Sequence, residues 1–271
     1  MFSSPRDPTE TIVDTPKGVA DLVDLVERQD TKLGDQQPTL YIDIEGKQPS
    51  RFGTISLLTV LIYPGSGPQE YYIVDIHTLG STSFSTIGSC GKSLRDVLES
   101  PRILKVFFDV RNDADALRAH YGVELQGVLD VQVMEVACRP RIDHERYTYN
   151  LSRCMGGILS DLEQAHWKRH KEIGERLWNP QKGGSYDVFN ARPLSKGIIQ
   201  SCVTDVQYLP RLYKKCWREP AGWRKLIAQE SQQRVYRSRA VDYQPDGTGR
   251  MLTPWWLVFD RIFDSADREI N

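Results

Sequence analysis

The sequence of 271 residues predicts an α/β domain in which helices flank a mixed five-stranded sheet. Three apolar segments separated by short Gly/Pro turns come first, a pattern that favours antiparallel hairpins. Helical and strand patterns then alternate, which is typical of βαβ units. With 39% hydrophobic and 26% charged residues, the composition is that of a globular protein and excludes disordered and fibrous classes.

The first half of the chain predicts an arm, a helix and three strands. Residues 1–17 are rich in Pro, Ser, Thr and Asp, and we expect them to form a flexible N-terminal arm. Apolar residues at helical spacing predict a helix over 19–26. β-branched and aromatic residues predict strands over three segments, residues 39–44, 55–63 and 71–76.

The alternating elements that follow are a helix, a strand, a helix and a strand, predicted over residues 92–99, 103–108, 112–121 and 127–129. From residue 131 onward the pattern is helical, with a long loop over 179–193. We therefore expect the main domain to cover residues 18–217 and a basic helical extension to cover 218–271.

Charge is unevenly distributed. The net charge is −1, yet residues 211–239 hold nine Lys and Arg against two Glu, a local charge of +7. Trp217 and Trp223 lie between these cations, and cations beside aromatic rings suit a single-stranded backbone and its bases. The alternative is a solvated helix face. The candidate nucleic-acid-binding residues are Arg211, Lys214, Lys215, Arg224 and Lys225.

The sequence also indicates in which cellular compartment the protein is expected. Its longest apolar run, residues 55–63, is too short to span a bilayer, so we expect no membrane partner. The N-terminus lacks the apolar region of a secretory signal. Five cysteines without a CxxC pair are typical of reduced thiols, which predicts a cytoplasmic or nuclear protein.

Three acidic segments are candidates for chemistry. Asp43 and Glu45 alternate at the end of an apolar strand, so both side chains project from one face, where they repel unless they share a cation. Asp113 lies where a strand ends and a helix begins, in a cluster with Asp109 and Asp115; alternatively, it caps free helix amides. Asp205 lies beside the apolar stripe of a helix and could instead be solvated.

Taken together, these segments resemble the DEDD 3′-5′ exonucleases of RNase H-like fold, and among them the ribonuclease D/Werner branch with its Egalitarian-like and fungal members. The resemblance covers roughly residues 19–217. It extends to Lys105-Val106, Asp130-Val131-Gln132, Leu209-Pro210 and residues 182–189.

The resemblance implies metal-dependent hydrolysis of single-stranded RNA or DNA from the 3′ end. It implies that Asp43, Glu45, Asp113 and Asp205 hold two divalent cations, and hard carboxylate oxygens suit Mg²⁺ or Mn²⁺. Two such ions activate a water and stabilise the leaving 3′ oxygen.

The sequence departs from this family in two respects. Phe108, in the second motif, stands where many relatives have a His, and the residue that orients the attacking water differs. The tyrosine branch has a Tyr four residues before the last Asp, where this chain has Ser201; the histidine branch has a His five residues before, where it has Gln200. A serine is too short to replace a phenol. The candidates for positioning water are therefore Ser201, Tyr186 and Tyr208.

Two alternative functions stay open at this stage. The first is a catalytically weak or inactive RNA-binding or scaffold protein, with a partner held by the apolar segment between Trp255 and Phe263. The second is a phosphodiesterase for small substrates, which would use the same acids.

Two further patterns predict scaffold rather than chemistry. Residues 86–93 nearly match a phosphate-binding loop but lack its first glycine. His166 and His170 are four residues apart on a predicted helix, but Lys168, Arg169 and Lys171 surround them, which predicts a solvated basic helix rather than a zinc site.

Overall fold

A computed structural model describes residues 9–33, 37–62, 69–139, 147–217 and 221–254. Its centre is a six-stranded mixed sheet with the strand order β1-β4-β3-β2-β5-β6. The strands are β1 (Thr9–Val13), β2 (Leu40–Glu45), β3 (Leu57–Ile62), β4 (Glu70–Asp75), β5 (Lys105–Phe107) and β6 (Val128–Asp130).

Helices cover both faces of this sheet. The helices are α1 (Pro16–Leu33), α2 (Ile76–Leu79), α3 (Thr82–Ser85), α4 (Leu94–Glu99), α5 (Arg111–Tyr121), α6 (Val131–Cys138), α7 (Leu151–Gly156), α8 (Asp161–Trp178), α9 (Lys196–Val206), α10 (Leu209–Cys216) and α11 (Ala221–Ser238). Three short 3-10 turns lie at Pro180–Lys182, Tyr186–Phe189 and Thr248–Met251.

The strand pairing confirms the predicted fold class. β2, β3 and β4 pair antiparallel, as the short Gly/Pro turns predict, while β2, β5 and β6 pair in parallel. The sheet has six strands rather than the predicted five, because Thr9–Val13 pairs in parallel with β4. This segment lies within the residues expected to form a flexible arm. Polar and β-branched residues alternate in this segment, so one set of side chains points into the core. Val13 belongs to that set and is 3% exposed.

The two faces of the sheet bury separate cores. One face packs against α1, α4 and α5, with Ile42 and Ile44 of β2 pointing into it. The other packs against α6, α9 and α10 and includes Tyr41 of β2. Because alternate side chains of a strand point to opposite faces, Asp43 and Glu45 share the face of Tyr41, which α9 covers.

The C-terminal part is helical through α11, which packs against β6, α5 and α6. The chain then folds over the N-terminus of α5, where the Tyr243 hydroxyl donates to Asn112 Oδ1 at 2.6 Å. The Arg51 guanidinium donates to the carbonyl of Ser238 at 2.7 Å. The apolar segment 255–263 was expected to dock on the core or, alternatively, to bind a partner, and it lies outside the described residues.

The loop that resembles a phosphate-binding loop holds a carboxylate of the chain itself. The backbone N–H groups of Ser89 and Cys90 donate to the Asp24 carboxylate at 3.0 and 2.9 Å, and the Ser89 hydroxyl donates at 2.6 Å. These hydrogen bonds lower the pKa of Asp24. The loop therefore fastens α1, in agreement with the prediction of a scaffold role.

In the described part of the chain, no helix combines the length and the apolar character needed to cross a lipid bilayer.

Candidate active site

Three acidic side chains meet where β2 ends. Asp43 and Glu45 come from the strand, and Asp205 comes from α9, which lies across the same face. One carboxylate oxygen from each of the three residues lies within 4.8 Å of those of the other two. The structure thus brings together three of the four acids that the resemblance groups as metal ligands.

The fourth acid, Asp113, lies in the first turn of α5 and outside this group of three. Burial raises the pKa of Asp113 well above its usual range, and the charge of Asp43 raises it further. The charge of Asp43 therefore reaches Asp113, which follows β5, the strand beside β2.

The turn that positions Asp113 is held by Asp130 at the end of β6. The Asp130 carboxylate accepts hydrogen bonds from the backbone N–H of Asp109 at 3.0 Å and from that of the next residue at 3.2 Å. Asp109 has a φ of 59°, a conformation that few non-glycine residues adopt. Arg111 and Arg250 donate to its carboxylate at 2.5 and 2.9 Å. This network fixes where α5 begins.

Asp115, the other acid near Asp113 in the sequence, has a scaffold role. The backbone N–H and the guanidinium Nε of Arg51 each donate to its carboxylate at 2.8 Å. Asp109 and Asp115 are thus paired with arginines, and the predicted cluster separates into two scaffold acids and the site acid Asp113.

Burial and mutual repulsion dominate the electrostatics of the site. Burial raises the pKa of Asp43 to about 8, and the charge of Asp205 adds to the rise. Burial, followed by the charges of Asp43 and Asp205, raises the pKa of Glu45 well above its usual range. Negative charge is therefore in excess at the cluster, and a bound cation would offset it.

The donor set fits a hard divalent cation. Asp205 Oδ2 is buried and accepts no hydrogen bond from an N–H or hydroxyl group of the described residues, and the Asp205 carboxylate lies against that of Glu45, whose pKa it raises. Carboxylate oxygens are the ligands that Mg²⁺ and Mn²⁺ prefer. Asp43, Glu45 and Asp205 are the residues that would hold such an ion, with Asp113 contributing charge from α5.

A cation of the chain itself also reaches the cluster. Lys171, on α8, donates from Nζ to Asp205 Oδ1 at 2.5 Å, and the two side chains are 24% and 8% exposed. Burial lowers the pKa of Lys171, but the charges of Asp205, Glu45 and Asp43 outweigh burial and raise it overall.

The prediction of a solvated basic helix is therefore wrong for Lys171. The buried residues of α8 are Trp167 and Gly174, and Lys171 lies four residues after the first and three before the second. Residues at these spacings share one helix face. The helical spacing was the sequence signal that could have identified Lys171 as inward-facing.

Ser201, a candidate for positioning water, lies where α9 packs against α8. The residue is 1% exposed. A Cβ atom added at Gly174 would lie 2.3 Å from Ser201 Oγ, so the hydroxyl fills the space that the glycine leaves. The α8 backbone thus occupies the region beside residue 201.

The two tyrosine candidates lie against other neighbours. Tyr186 stacks on Trp178 with ring centres 5.8 Å apart. Burial raises the pKa of Tyr208, and the charge of Glu163 adds to the rise. A role for either tyrosine in positioning water stays a prediction.

The predicted nucleic-acid-binding residues lie on α10 and the first half of α11. Arg211 pairs with Glu163 at 2.9 Å. Lys215 donates to the carbonyl of Gly157 at 2.9 Å, and the Arg224 guanidinium lies 5.0 Å from the ring centre of Trp217. The other two residues, Lys214 and Lys225, are exposed.

An arginine-rich cavity was not predicted. This open cavity of about 1120 Å³ lies between α5, α11 and the C-terminal turn, and Glu230 and Asp242 contribute to its lining. Six arginines border it, each paired with an acid of the chain, namely Arg111, Arg118, Arg234, Arg237, Arg239 and Arg250. Arg250 also acts on the acidic site, because its charge opposes the rise that burial causes in the pKa of Asp113.

The fold and the acidic site together are those of a nuclease domain. A sequence profile described as 3′-5′ exonuclease matches residues 11–220. The chain therefore belongs to the 3′-5′ exonuclease family, with the RNase H-like fold of the DEDD superfamily.

Two relatives are mammalian. The chain is 35% identical over 180 residues to the piRNA biogenesis protein EXD1 of Mus musculus, and 35% identical over 181 residues to that of Homo sapiens. Each match covers 64% of this chain, but only 28% of the mouse protein and 31% of the human one. The chain thus spans about a third of the length of these relatives.

Among solved structures, the fold is similar to that of Trypanosoma brucei RNase D in complex with RNA U12. The TM-score is 0.69 at 20% identity, and the match covers 93% of this chain and 78% of the other. The RNase D of Escherichia coli matches with a TM-score of 0.53 at 17% identity, over 86% of this chain and 51% of the other.

Proposed function

We propose that the chain hydrolyses single-stranded nucleic acid from its 3′ end with the help of two divalent cations, Mg²⁺ or Mn²⁺. The observation that carries this proposal is the meeting of Asp43, Glu45 and Asp205 within 4.8 Å, with a buried Asp205 oxygen that accepts no hydrogen bond from an N–H or hydroxyl group of the described residues. Ions held by these acids and Asp113 would activate water and stabilise the leaving 3′ oxygen.

The backbone of the chain holds the acids of the site in place. Asp43 and Glu45 are fixed by the β2 backbone, and Asp113 is fixed by the turn that Asp130 holds. Such preorganisation matters because phosphodiester hydrolysis depends on aligning the attacking water with the leaving oxygen.

RNA is the polymer that the comparisons favour. The mouse and human relatives are described as piRNA biogenesis proteins, and one RNase D structure holds RNA. A single strand needs cations along its backbone, which the acidic site cannot provide. The exposed Lys214 and Lys225 and the arginine-bordered cavity are the surfaces proposed to supply them.

A second candidate function is RNA binding without efficient hydrolysis, as in a scaffold protein. Two observations favour it: Ser201 is buried at the position of the family tyrosine, and Lys171 already pairs with Asp205. Under this alternative Lys171 neutralises Asp205 in place of a metal ion, and the exposed lysines bind RNA.

The experiment that tests the proposal follows 5′-labelled single-stranded RNA and DNA with Mn²⁺, Mg²⁺ or EDTA. We expect a ladder of 3′-shortened products with the metals, its loss in EDTA, and its loss in Asp43→Asn. Asp161→Asn serves as the control, because Asp161 is an exposed acid in the first turn of α8. RNA binding by a wild-type protein that makes no ladder would instead establish the scaffold function.

A further inference from the structure

The packing of α8 against α9 directs Lys171 to the acidic cluster. The two helices approach closely at Gly174 and Ser201, where an added Cβ would lie 2.3 Å from the hydroxyl oxygen. Lys171 lies one turn before Gly174, and Asp205 lies one turn after Ser201. A close crossing at the glycine therefore brings Lys171 Nζ within 2.5 Å of Asp205 Oδ1.

The environment of this ion pair differs from that of a surface pair. Lys17 and Asp21 on α1 also lie 2.6 Å apart, but their side chains are 82% and 63% exposed. The Lys171 and Asp205 side chains are 24% and 8% exposed. Water screens the first pair and largely not the second, so Lys171 contributes a strong positive charge within the cluster.

Lys171 and a divalent cation compete for the same carboxylate. Asp205 Oδ1 accepts the hydrogen bond from Lys171, whereas Asp205 Oδ2 accepts none from an N–H or hydroxyl group of the described residues. One oxygen is thus available to an ion and the other is taken. A second ion at Oδ1 would have to displace the ammonium group or lie against it.

We propose that Lys171 occupies one of the cation positions at Asp205 in the nucleic-acid-free protein, so that the site binds one divalent cation tightly and gains a second only with a bound strand. This inference rests on the proposed metal-dependent function. When the strand binds, its terminal phosphate attracts the ammonium group of Lys171, and Asp205 Oδ1 becomes available. Lysine suits this exchange because its ammonium is a compact point charge on a flexible chain.

Mn²⁺ binding to the full chain tests the inference, by calorimetry and by the electron paramagnetic resonance of free Mn²⁺. We expect one tight ion in wild type and two in Lys171→Met. The affinity for the second ion should rise about tenfold or more, because a neighbouring charge changes the proton affinity of a carboxylate by one to three powers of ten. Lys168→Met is the control, since Lys168 is exposed on the same helix.

Three further measurements keep the test decisive. Lys171→Arg retains a cation and should bind one ion, as wild type does, and thermal melting verifies that each variant is folded. A short single-stranded RNA with an uncleavable phosphorothioate end should raise the wild-type stoichiometry from one ion to two.

The outcomes separate this inference from the proposed function. Two equally tight ions in nucleic-acid-free wild type, or one ion in Lys171→Met as in Lys168→Met, would overturn the role of Lys171 alone. The absence of Mn²⁺ binding in every folded variant would overturn the metal-dependent function together with it.

Discussion

Gly174 on α8 and Ser201 on α9 lie at the crossing of these two helices, and there is no room between them for another carbon atom. A Cβ added at Gly174 would lie 2.3 Å from Ser201 Oγ and 2.6 Å from Ser201 Cβ. Real side chains do not approach so closely, so the crossing depends on the absence of a side chain at Gly174. The same crossing sets the distance between Lys171 and Asp205.

Gly174→Ala should therefore lower stability and disturb the site. We expect a loss of about 1–3 kcal/mol in the free energy of unfolding, the range for overpacked cores. Urea denaturation measures this loss. The double variant Gly174→Ala/Ser201→Gly should recover part of it, because both close approaches are removed. Gly249→Ala is the control, since an added Cβ there meets nothing within 4 Å; equal effects at Gly174 and Gly249 would contradict the prediction.

Restoring the family tyrosine should not restore an active site. Ser201 is 1% exposed and faces α8, so a phenol at this position would enter the space of that helix backbone. We expect Ser201→Tyr to melt at a lower temperature than wild type and to gain no exonuclease activity. A stable Ser201→Tyr protein with faster RNA cleavage would show that the ring reaches the site by another path.

The Asp43 carboxyl should make stability depend on pH when metal is removed. Its pKa is raised to about 8 in the folded protein, so the folded state holds this proton more tightly than the unfolded chain. The contribution of Asp43 is therefore most favourable below about pH 4, the pKa of a free Asp, and becomes unfavourable as pH rises to about 8.

Asp43→Asn should remove this dependence. In EDTA, we expect the variant to be about 5 kcal/mol more stable than wild type near pH 8 and equal to it near pH 4, since each unit of the pKa rise corresponds to about 1.4 kcal/mol. Urea denaturation at several pH values, with Asp161→Asn as a matched exposed acid, measures the difference. A gap that stays constant with pH would show that the Asp43 carboxyl titrates normally. Saturating Mn²⁺ should reverse the order at pH 8, since the metal stabilises only wild type.

Much of the fold could be predicted because its signals are local. The apolar strand that ends in Asp43 and Glu45, and the apolar stripe beside Asp205, have the spacing that the structure uses. Thr9–Val13 was missed because a five-residue edge strand among polar residues has little periodicity, and its place is decided by pairing with β4.

Lys171 shows why the rest of the site could not be predicted. Its partner Asp205 is 34 residues further along the chain, and the contact exists only because α8 and α9 pack closely at Gly174. The local sequence around Lys171 is basic and polar, as on a solvated helix. A tertiary contact between distant segments overrode that local pattern.

The buried ion pair between Arg234 and Asp130 should be critical for stability. Arg234 Nη1 lies 2.8 Å from Asp130, and the side chains are 3% and 0% exposed. Removing one partner leaves the other as a buried charge, which costs about 3–5 kcal/mol. Arg234→Met should therefore lower the free energy of unfolding by that amount in urea, whereas Lys17→Met, which breaks an exposed pair, should have an effect below about 1 kcal/mol.

Arg234→Met should also weaken metal binding, because Asp130 accepts the backbone N–H of Asp109 and so positions Asp113. Mn²⁺ titration at a temperature where the variant is folded measures this effect. A destabilised variant with unchanged Mn²⁺ affinity would show that the turn before α5 keeps its geometry without Arg234.

Removing Lys214 and Lys225 should show which surface of the protein binds the backbone of single-stranded RNA. Both are exposed, on α10 and on the first half of α11, so their removal leaves the core intact. If they neutralise phosphates, Lys214→Met/Lys225→Met should weaken single-stranded RNA binding for every sequence alike. The slope of log K against log salt should decrease by about 0.7 for each phosphate that a lysine no longer neutralises. Fluorescence anisotropy over a range of salt concentrations measures both quantities, with Lys17→Met on α1 as the control.

An unchanged slope in the double variant would instead assign the interactions with the nucleic-acid backbone to the arginine-bordered cavity. The side chain of Arg237 at this cavity is 63% exposed, so Arg237→Met should then reduce the slope.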